Sequence, residues 1–176
     1  MYRSIARAAL LVAASFALGT HGAAAADPAT PAPAAAPTQP MTVYDTALAP
    51  GWENWSWAKS ELSITLTGSA RKPIKVEAGP FQALYLHKPA FSTTGLRKLS
   101  FLIQGSAMGE VRVFMLTGGK PVGEGKTVRI NNTGWTQVEI PLVTLGVEDA
   151  MVDGIWVQNP TDAVLPKFYI TEIKLD

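Results

Sequence analysis

Hydrophobic residues occupy every second position in most segments that follow Met41. The segment Glu61–Thr67 places Leu62, Ile64 and Leu66 on one side, and the same period recurs in the sequences QALYLHK, VRVFML, KTVRIN and GIWVQN. A period of two is typical of a β-strand with one buried face. A sustained helical period is absent, and the pattern predicts only a short turn at Pro141–Val147. We therefore predict an all-β protein.

About eleven such strand candidates follow one another, separated by Gly, Pro, Asn and Ser residues. Their spacing of roughly 8–14 residues indicates a β-sandwich. No internal repeat is visible, which argues against a propeller or a β-helix. We predict a jelly roll of two antiparallel sheets, with an immunoglobulin-like sandwich as the alternative.

Strand alternation also predicts which side chains point away from the core. Val111, Val113 and Met115 are expected to face inward, so Arg112 and Phe114 face outward. The same parity gives an outward set of aromatic and hydrogen-bonding residues: Tyr85, His87, Gln104, Arg112, Phe114, Trp156 and Gln158. Aromatic rings stack on the C–H face of a pyranose, and Arg, Gln and His bind its hydroxyls. As a group the set suits a sugar ligand; the alternative is that each residue is an ordinary surface contact.

The sequence GWENWSW, Gly51–Trp57, contains three of the five tryptophans. If this segment is a strand, Trp55 and Trp57 share one face and Trp52 serves the other. One set then anchors the core while the other remains available for stacking on a ligand. The alternative is that all three indoles are packing residues.

The N-terminal region has the pattern of an export signal. Met1–Ala26 combines Arg3 and Arg7, a short apolar run and small residues up to Ala26, which predicts a secretory signal peptide cleaved near Ala26. The run is too short for a typical spanning helix, and an uncleaved anchor is the alternative. The following Asp27–Pro40 is rich in Ala and Pro and is predicted to be a disordered linker. Met41–Asp176 is then the folded domain of a secreted or periplasmic protein.

Charge and cysteine content exclude several classes of function. Without Arg3 and Arg7, 13 basic residues stand against 14 acidic ones, a net charge of −1. The net charge is close to zero and the basic residues are not clustered, so the sequence favours neither nucleic acid nor an anionic membrane as partner. The chain has no Cys, so disulfides do not staple the domain.

Catalytic motifs are likewise missing from the sequence. Outside the predicted signal peptide the only histidine is His87, and there is neither a Gly-x-Ser-x-Gly elbow nor a phosphate-binding glycine loop. Zinc sites need several His or Cys residues. Glycoside hydrolysis needs two carboxylates across a cleft, and the sequence supplies no pairing among its acids. We predict a non-catalytic protein, with a small polysaccharide-active hydrolase or lyase as an alternative.

Several segments together resemble a known family. They are VYDTALAPGWENWSW, ALYLHK, Trp135–Leu142, Leu145–Gly146, Ile155–Gln158 and Phe168–Leu175. The chain resembles the galactose-binding-like jelly-roll domains of bacterial secreted carbohydrate-binding modules, and is similar to the family 11 β-glucan-binding modules. The resemblance covers nearly all of Met41–Asp176.

The resemblance implies polysaccharide binding on the concave face of one sheet. The implied contacts are Trp55, Trp57, Tyr85, His87, Arg112 and Gln158, with Trp156 and Gln104 as second choices. It also implies a structural calcium between Asp45 and Glu172, although Thr46 and Thr171 stand where such modules often carry further acids. The expected partner is a β-glucan-like polysaccharide. An extracytoplasmic protein-interaction domain, whose aromatic face binds protein, is the main alternative.

Overall fold

A computed structural model describes residues 39–176 of the chain. The predicted signal peptide and all but the last two residues of the predicted linker lie outside the described residues. Within the described part, no helix has the length and hydropathy needed to cross a bilayer.

Strands dominate the described region, as the two-residue period predicts. They are β1 Met41–Tyr44, β2 Glu53–Asn54, β3 Lys59–Glu61, β4 Ile74–Glu77, β5 Ala83–Ser92, β6 Lys98–Gly105, β7 Gly109–Thr117, β8 Lys120–Pro121, β9 Lys126–Ile130, β10 Thr136–Pro141, β11 Met151–Gln158 and β12 Phe168–Leu175. One 3₁₀-helix, Leu142–Leu145, follows β10 and ends at Gly146, whose φ of 70° is readily adopted by glycine. The short turn predicted at Pro141–Val147 is confirmed.

The strands form two antiparallel sheets packed face to face. The first sheet has the order β10–β6–β12–β4–β3, with β1 also paired to β12. The second has the order β2–β5–β11–β7–β8, with β9 also paired to β7. Most neighbours in the sheets are distant in sequence, as in a sandwich whose chain crosses between layers. The predicted all-β jelly roll of two antiparallel sheets is confirmed.

The core lies between the sheets and follows the predicted alternation. Leu84 and Leu86 of β5 and Val113 of β7 are buried in it from the second sheet, and Phe101 and Ile103 of β6 from the first. The positions between them on β5 and β7 point to the outer face of the second sheet.

The tryptophan-rich segment divides between core and surface. Trp52 is 6% exposed and belongs to the core, where its ring meets Phe91 edge to face at 5.5 Å between centroids. Trp55 and Trp57 are exposed. The expectation that Trp52 serves the face opposite to the other two is therefore confirmed, and the alternative of three packing residues is excluded.

The strand predicted for Glu61–Thr67 is wrong, because β3 ends at Glu61. Ser63 has a φ of 57°, which is incompatible with a continuing strand. The Tyr44 hydroxyl accepts a hydrogen bond from the Ser63 amide at 2.8 Å, and the Ser63 hydroxyl donates to the Thr46 carbonyl at 2.6 Å. These bonds replace a sheet ladder, so Leu62 is left exposed despite the alternating pattern.

Candidate ligand-binding surface

The outer face of the second sheet carries rows of side chains from neighbouring strands. Trp156 of β11 lies directly opposite Tyr85 of β5 on one side and Phe114 of β7 on the other. One row further along, Gln158 lies opposite Arg112. Residues opposite one another on one face are close enough for their side chains to interact. The parity predicted for all five residues is confirmed.

The segment after β2 places Trp55 and Trp57 over this face. The Trp55 amide donates to the Tyr85 carbonyl at 2.9 Å. The Tyr85 amide in turn donates to the Ser56 hydroxyl at 2.9 Å, so a side-chain oxygen stands where a strand would offer a carbonyl. Backbone pairing with β5 resumes at Ala58, whose amide donates a hydrogen bond to the Ala83 carbonyl at 3.0 Å. The local irregularity keeps both indoles on the outer side while the main chain stays bound to β5.

Six aromatic side chains are linked by ring contacts into one group. The indole of Trp55 stacks on the imidazole of His87, with centroids 3.6 Å apart and planes at 11°. Tyr85 meets Trp156 edge to face at 5.9 Å, and Trp156 meets Trp57 in the same way at 4.8 Å. We call this group the aromatic face, and its members are Trp55, Trp57, Tyr85, His87, Phe114 and Trp156.

Exposure separates the aromatic face into a floor and two raised rings. Tyr85 and Phe114 are buried, with only 7% and 8% of their surface exposed, whereas Trp55 and Trp57 are 52% and 41% exposed. His87 covers one side of the Trp55 indole, so the exposed area of that ring is mainly its opposite side. Two exposed indoles on a packed aromatic floor are suited to stacking on a flat apolar surface.

Polar groups border the aromatic rings. Trp55 Nε1 donates to a carboxylate oxygen of Glu53 at 2.7 Å, and the same oxygen lies 3.9 Å from His87 Nδ1. Gln158 Nε2 donates to the Phe81 carbonyl at 3.0 Å. The Arg112 guanidinium forms no hydrogen bond or ion pair with any of residues 39–176. Arg112 therefore presents unused donors beside the aromatic face.

Three buried side-chain polar atoms in the described region lack a hydrogen-bond partner, and all three lie at or beside this face: His87 Nδ1, Asp153 Oδ1 and Trp156 Nε1. Asp153 sits at a bulge in β11, where its other oxygen accepts from the Gly119 amide at 2.9 Å. Burial, and secondarily the Asp153 charge, raise the pKa of the Tyr85 phenol above its ordinary value. An unpaired buried polar atom costs free energy, and a functional role is one of the reasons for which a native protein keeps it.

One predicted contact, Gln104, does not share this surface. Gln104 belongs to β6 and pairs with Tyr169 of β12, so it lies in the first sheet. Alternation correctly placed its neighbours Phe101 and Ile103 in the core. Since parity separates the two faces of a strand but does not say which sheet the strand joins, it could not distinguish Gln104 from the others. We correct this prediction: the remaining seven residues of the predicted site lie together.

The residues implied for a calcium site line one groove but do not fit the ion. Asp45 and Glu172 border a groove of about 300 Å³ between β1 and β12. The Glu172 carboxylate, however, accepts from Arg71 Nε at 2.7 Å, so a cation already neutralises it. The Asp45 carbonyl accepts from the Thr171 hydroxyl at 2.8 Å. No cluster of three or more His, Cys, Asp or Glu side chains suited to a metal occurs within residues 39–176.

Comparisons with known proteins rest on structure. Neither a protein-family model nor a curated protein sequence matches the chain. A mutant family 29 carbohydrate-binding module complexed with cellohexaose matches with a TM-score of 0.56 and 15% identity, covering 78% of this chain and 89% of the module. The fold is that of carbohydrate-binding modules. The family 11 module from Clostridium thermocellum, complexed with a β-1,3-1,4-mixed-linked tetrasaccharide, matches with a TM-score of 0.55 and 18% identity, covering 77% of this chain and 94% of that module.

Sequence reasoning missed three residues that border the aromatic face. Glu53 fixes Trp55, Asp153 lies at the bulge of β11, and Phe81 accepts hydrogen bonds from Trp57 and Gln158. A bulge has no reliable signature in one sequence. Phe81, however, follows Pro80 in a turn, and a large apolar residue at that position is a signal that could have been read.

Proposed function

We propose that the protein is a non-catalytic carbohydrate-binding protein that holds a β-glucan-like polysaccharide on the aromatic face. The observation that carries this proposal is the pair of exposed indoles, Trp55 and Trp57, held over the outer face of the second sheet. The fold shared with carbohydrate-binding modules supports it. A β-linked glucan offers flat C–H surfaces that match such rings.

Stacking and hydrogen bonding have separate sources on this surface. Trp55 and Trp57 exclude water from the sugar rings that they cover, which is the larger contribution to affinity. Arg112 and Gln158 lie opposite one another in the next row and offer donors to sugar hydroxyls. Arg112 has no competing partner within the described residues, so binding does not first require a bond in the protein to break.

A non-catalytic role is supported by the state of the neighbouring carboxylates. Glu53 accepts from Trp55 Nε1 at 2.7 Å, and Asp153 accepts from the Gly119 amide at 2.9 Å. A glycosidase needs one carboxyl group free to give a proton and another free to attack or to activate water. Each of the two carboxylates here instead has one oxygen bonded to another part of the surface.

We also propose that the protein acts outside the cytoplasm, as a secreted or periplasmic protein. The signal-peptide pattern of Met1–Ala26 supports this location, and the Pro-rich stretch Asp27–Pro40 fits a tether to the binding domain. Polysaccharide is abundant outside cells, so location and ligand agree.

Affinity electrophoresis of the full chain tests the proposal. The protein is run through native gels containing mixed-linked β-glucan, xylan or mannan, with bovine serum albumin as the non-binding standard. We expect retardation in the β-glucan gel and no release of reducing ends on incubation with that polymer. A folded sample that none of these polysaccharides retards would contradict the proposal and favour a protein-binding surface.

A further inference from the structure

Phe81 is an exposed aromatic residue at the edge of the aromatic face. Its side chain is 54% exposed, as much as that of Trp55. Its carbonyl accepts hydrogen bonds from Trp57 Nε1 at 3.2 Å and from Gln158 Nε2 at 3.0 Å. The main chain of Phe81 is therefore bonded directly to two side chains of the candidate surface, although its ring contributes nothing to the core.

The backbone of Phe81 adopts a conformation that favours glycine. Its φ is 54°, and among the non-glycine residues with positive φ in the described region only Phe81 has a large apolar side chain. The Gln82 amide donates to the Gly79 carbonyl at 3.1 Å, so Pro80 and Phe81 are the second and third residues of a four-residue turn. A proline at the second position and a positive φ at the third are the features of a type II turn, and the third position of such a turn is normally glycine or asparagine. Neither turn formation nor packing explains phenylalanine here.

The surrounding bonds fix this turn in its unfavourable conformation. The Phe81 amide donates to the Thr161 carbonyl at 3.0 Å, so both main-chain polar groups of Phe81 are bonded. The buried Asn159 side chain donates to the Gly79 carbonyl at 2.9 Å, and the Asn159 amide donates to the Gln82 carbonyl at 2.8 Å. Strained residues persist where neighbours over-determine them, and such residues concentrate at functional sites.

The residues that carry the three exposed rings are attached at successive points of the chain between Phe81 and Tyr85. The Trp55 amide is bonded to the Tyr85 carbonyl, and the amide of Ala58, the residue after Trp57, is bonded to the Ala83 carbonyl. Phe81 precedes Ala83 by two positions in the chain. At the rise of a strand, the chain from Phe81 to Tyr85 spans at most about 13 Å. The attachment points of the three residues thus follow one another from Tyr85 to the turn before β5, which suits a ligand that is a linear polymer.

We propose that Phe81 is a third aromatic contact for the polysaccharide, which extends the surface so that it prefers long chains over short ones. This inference rests on the proposed function. A ligand that ends near Trp57 does not reach Phe81, whereas a longer oligosaccharide covers the additional ring and gains affinity from it.

The substitution Phe81→Gly separates a binding role from a structural one. Glycine suits a φ of 54°, so the variant should unfold at the same temperature as the wild type or higher. Isothermal titration of the full chain with cellotriose and cellohexaose measures the binding role. We expect F81G to bind cellohexaose about three- to tenfold more weakly, with a smaller change for cellotriose. Phe81→Trp, which retains an aromatic ring, should preserve the preference for the longer chain.

Two results would overturn the inference while the proposed function stands. In one, the wild type binds cellohexaose and F81G binds it equally well. In the other, F81G unfolds several degrees lower, which would make Phe81 a packing residue. If the wild type binds neither oligosaccharide nor mixed-linked β-glucan, the proposed function itself fails, and the inference fails with it.

Discussion

The indole of Trp55 lies parallel to the imidazole of His87, with ring centroids 3.6 Å apart and an interplanar angle of 11°. Glu53 holds the same indole through its Nε1 at 2.7 Å. Trp55 is therefore fixed in position although half of its surface faces solvent. A ring that is ordered before binding loses little conformational entropy when a ligand stacks on it, which favours affinity.

Replacing the exposed indoles should abolish binding without unfolding the protein. Trp55→Ala and Trp57→Ala remove exposed rings, so we expect at least about a tenfold loss of affinity for β-glucan and a change in unfolding free energy below about 1 kcal/mol. Trp52→Ala is the matched control, because Trp52 is a core residue. It should lower stability by about 3–5 kcal/mol. Titration calorimetry and urea unfolding measure the two quantities; an unstable W57A variant or a stable W52A variant would contradict the assignment.

Arg112 should contribute to binding through its unpaired donors. Arg112→Ala is expected to weaken β-glucan binding by about 1–2 kcal/mol, a loss of roughly five- to thirtyfold. Arg129→Ala removes the same side chain from a neighbouring strand, where it is exposed and paired with Glu110 at 3.4 Å. Gln104→Ala tests the sheet assignment, because Gln104 lies in the other sheet. Gel retardation should change for R112A alone; an equal effect of Q104A would place the ligand elsewhere.

The raised pKa of Tyr85 predicts a specific loss of stability in alkali. Burial, and then the Asp153 charge, disfavour the phenolate in the folded state, whereas the unfolded chain loses this proton near the ordinary value of 10.0. The contribution of Tyr85 to the free energy of unfolding is thus fully present below pH 10, and it is lost as the pH rises from there through the folded-state pKa. Between pH 8 and pH 11, the urea midpoint of Tyr85→Phe should fall less than that of the wild type. Equal falls would show that Tyr85 does not titrate differently in the two states.

Calcium should not be needed for folding. Because Arg71 already neutralises Glu172 at 2.7 Å, no uncompensated carboxylate pair remains for the ion. Thermal unfolding of the full chain in excess EDTA and in millimolar CaCl₂ should give the same midpoint. A midpoint that rises with calcium and falls with EDTA would contradict this expectation.

The sequence was sufficient to predict the sandwich, because its two-residue period reflects burial on one side of each strand. It predicted the inward faces of β5, β6 and β7 correctly for the same reason. It failed at Glu61–Thr67, where the Tyr44 hydroxyl and the positive φ of Ser63 end the ladder. Those effects arise from residues nearly twenty positions apart, and local patterning does not contain them.

The candidate site was predicted in part. Spacing within Gly51–Trp57 separated Trp52 from the two exposed indoles, because opposite parity holds even where the segment is only briefly a strand. Parity could not exclude Gln104, since sheet membership depends on topology. Phe81 was missed because it lies in a turn between β4 and β5, and alternation assigns faces only to residues within strands.

Retardation of the full chain in a native gel containing mixed-linked β-glucan, compared with W57A in the same gel, tests whether the aromatic face binds the polysaccharide. We expect the wild type to be slowed relative to a polymer-free gel, W57A to migrate freely, and the unfolding free energies of the two proteins to differ by less than about 1 kcal/mol. Free migration of a folded wild-type protein, or equal slowing of W57A, would contradict binding on the aromatic face.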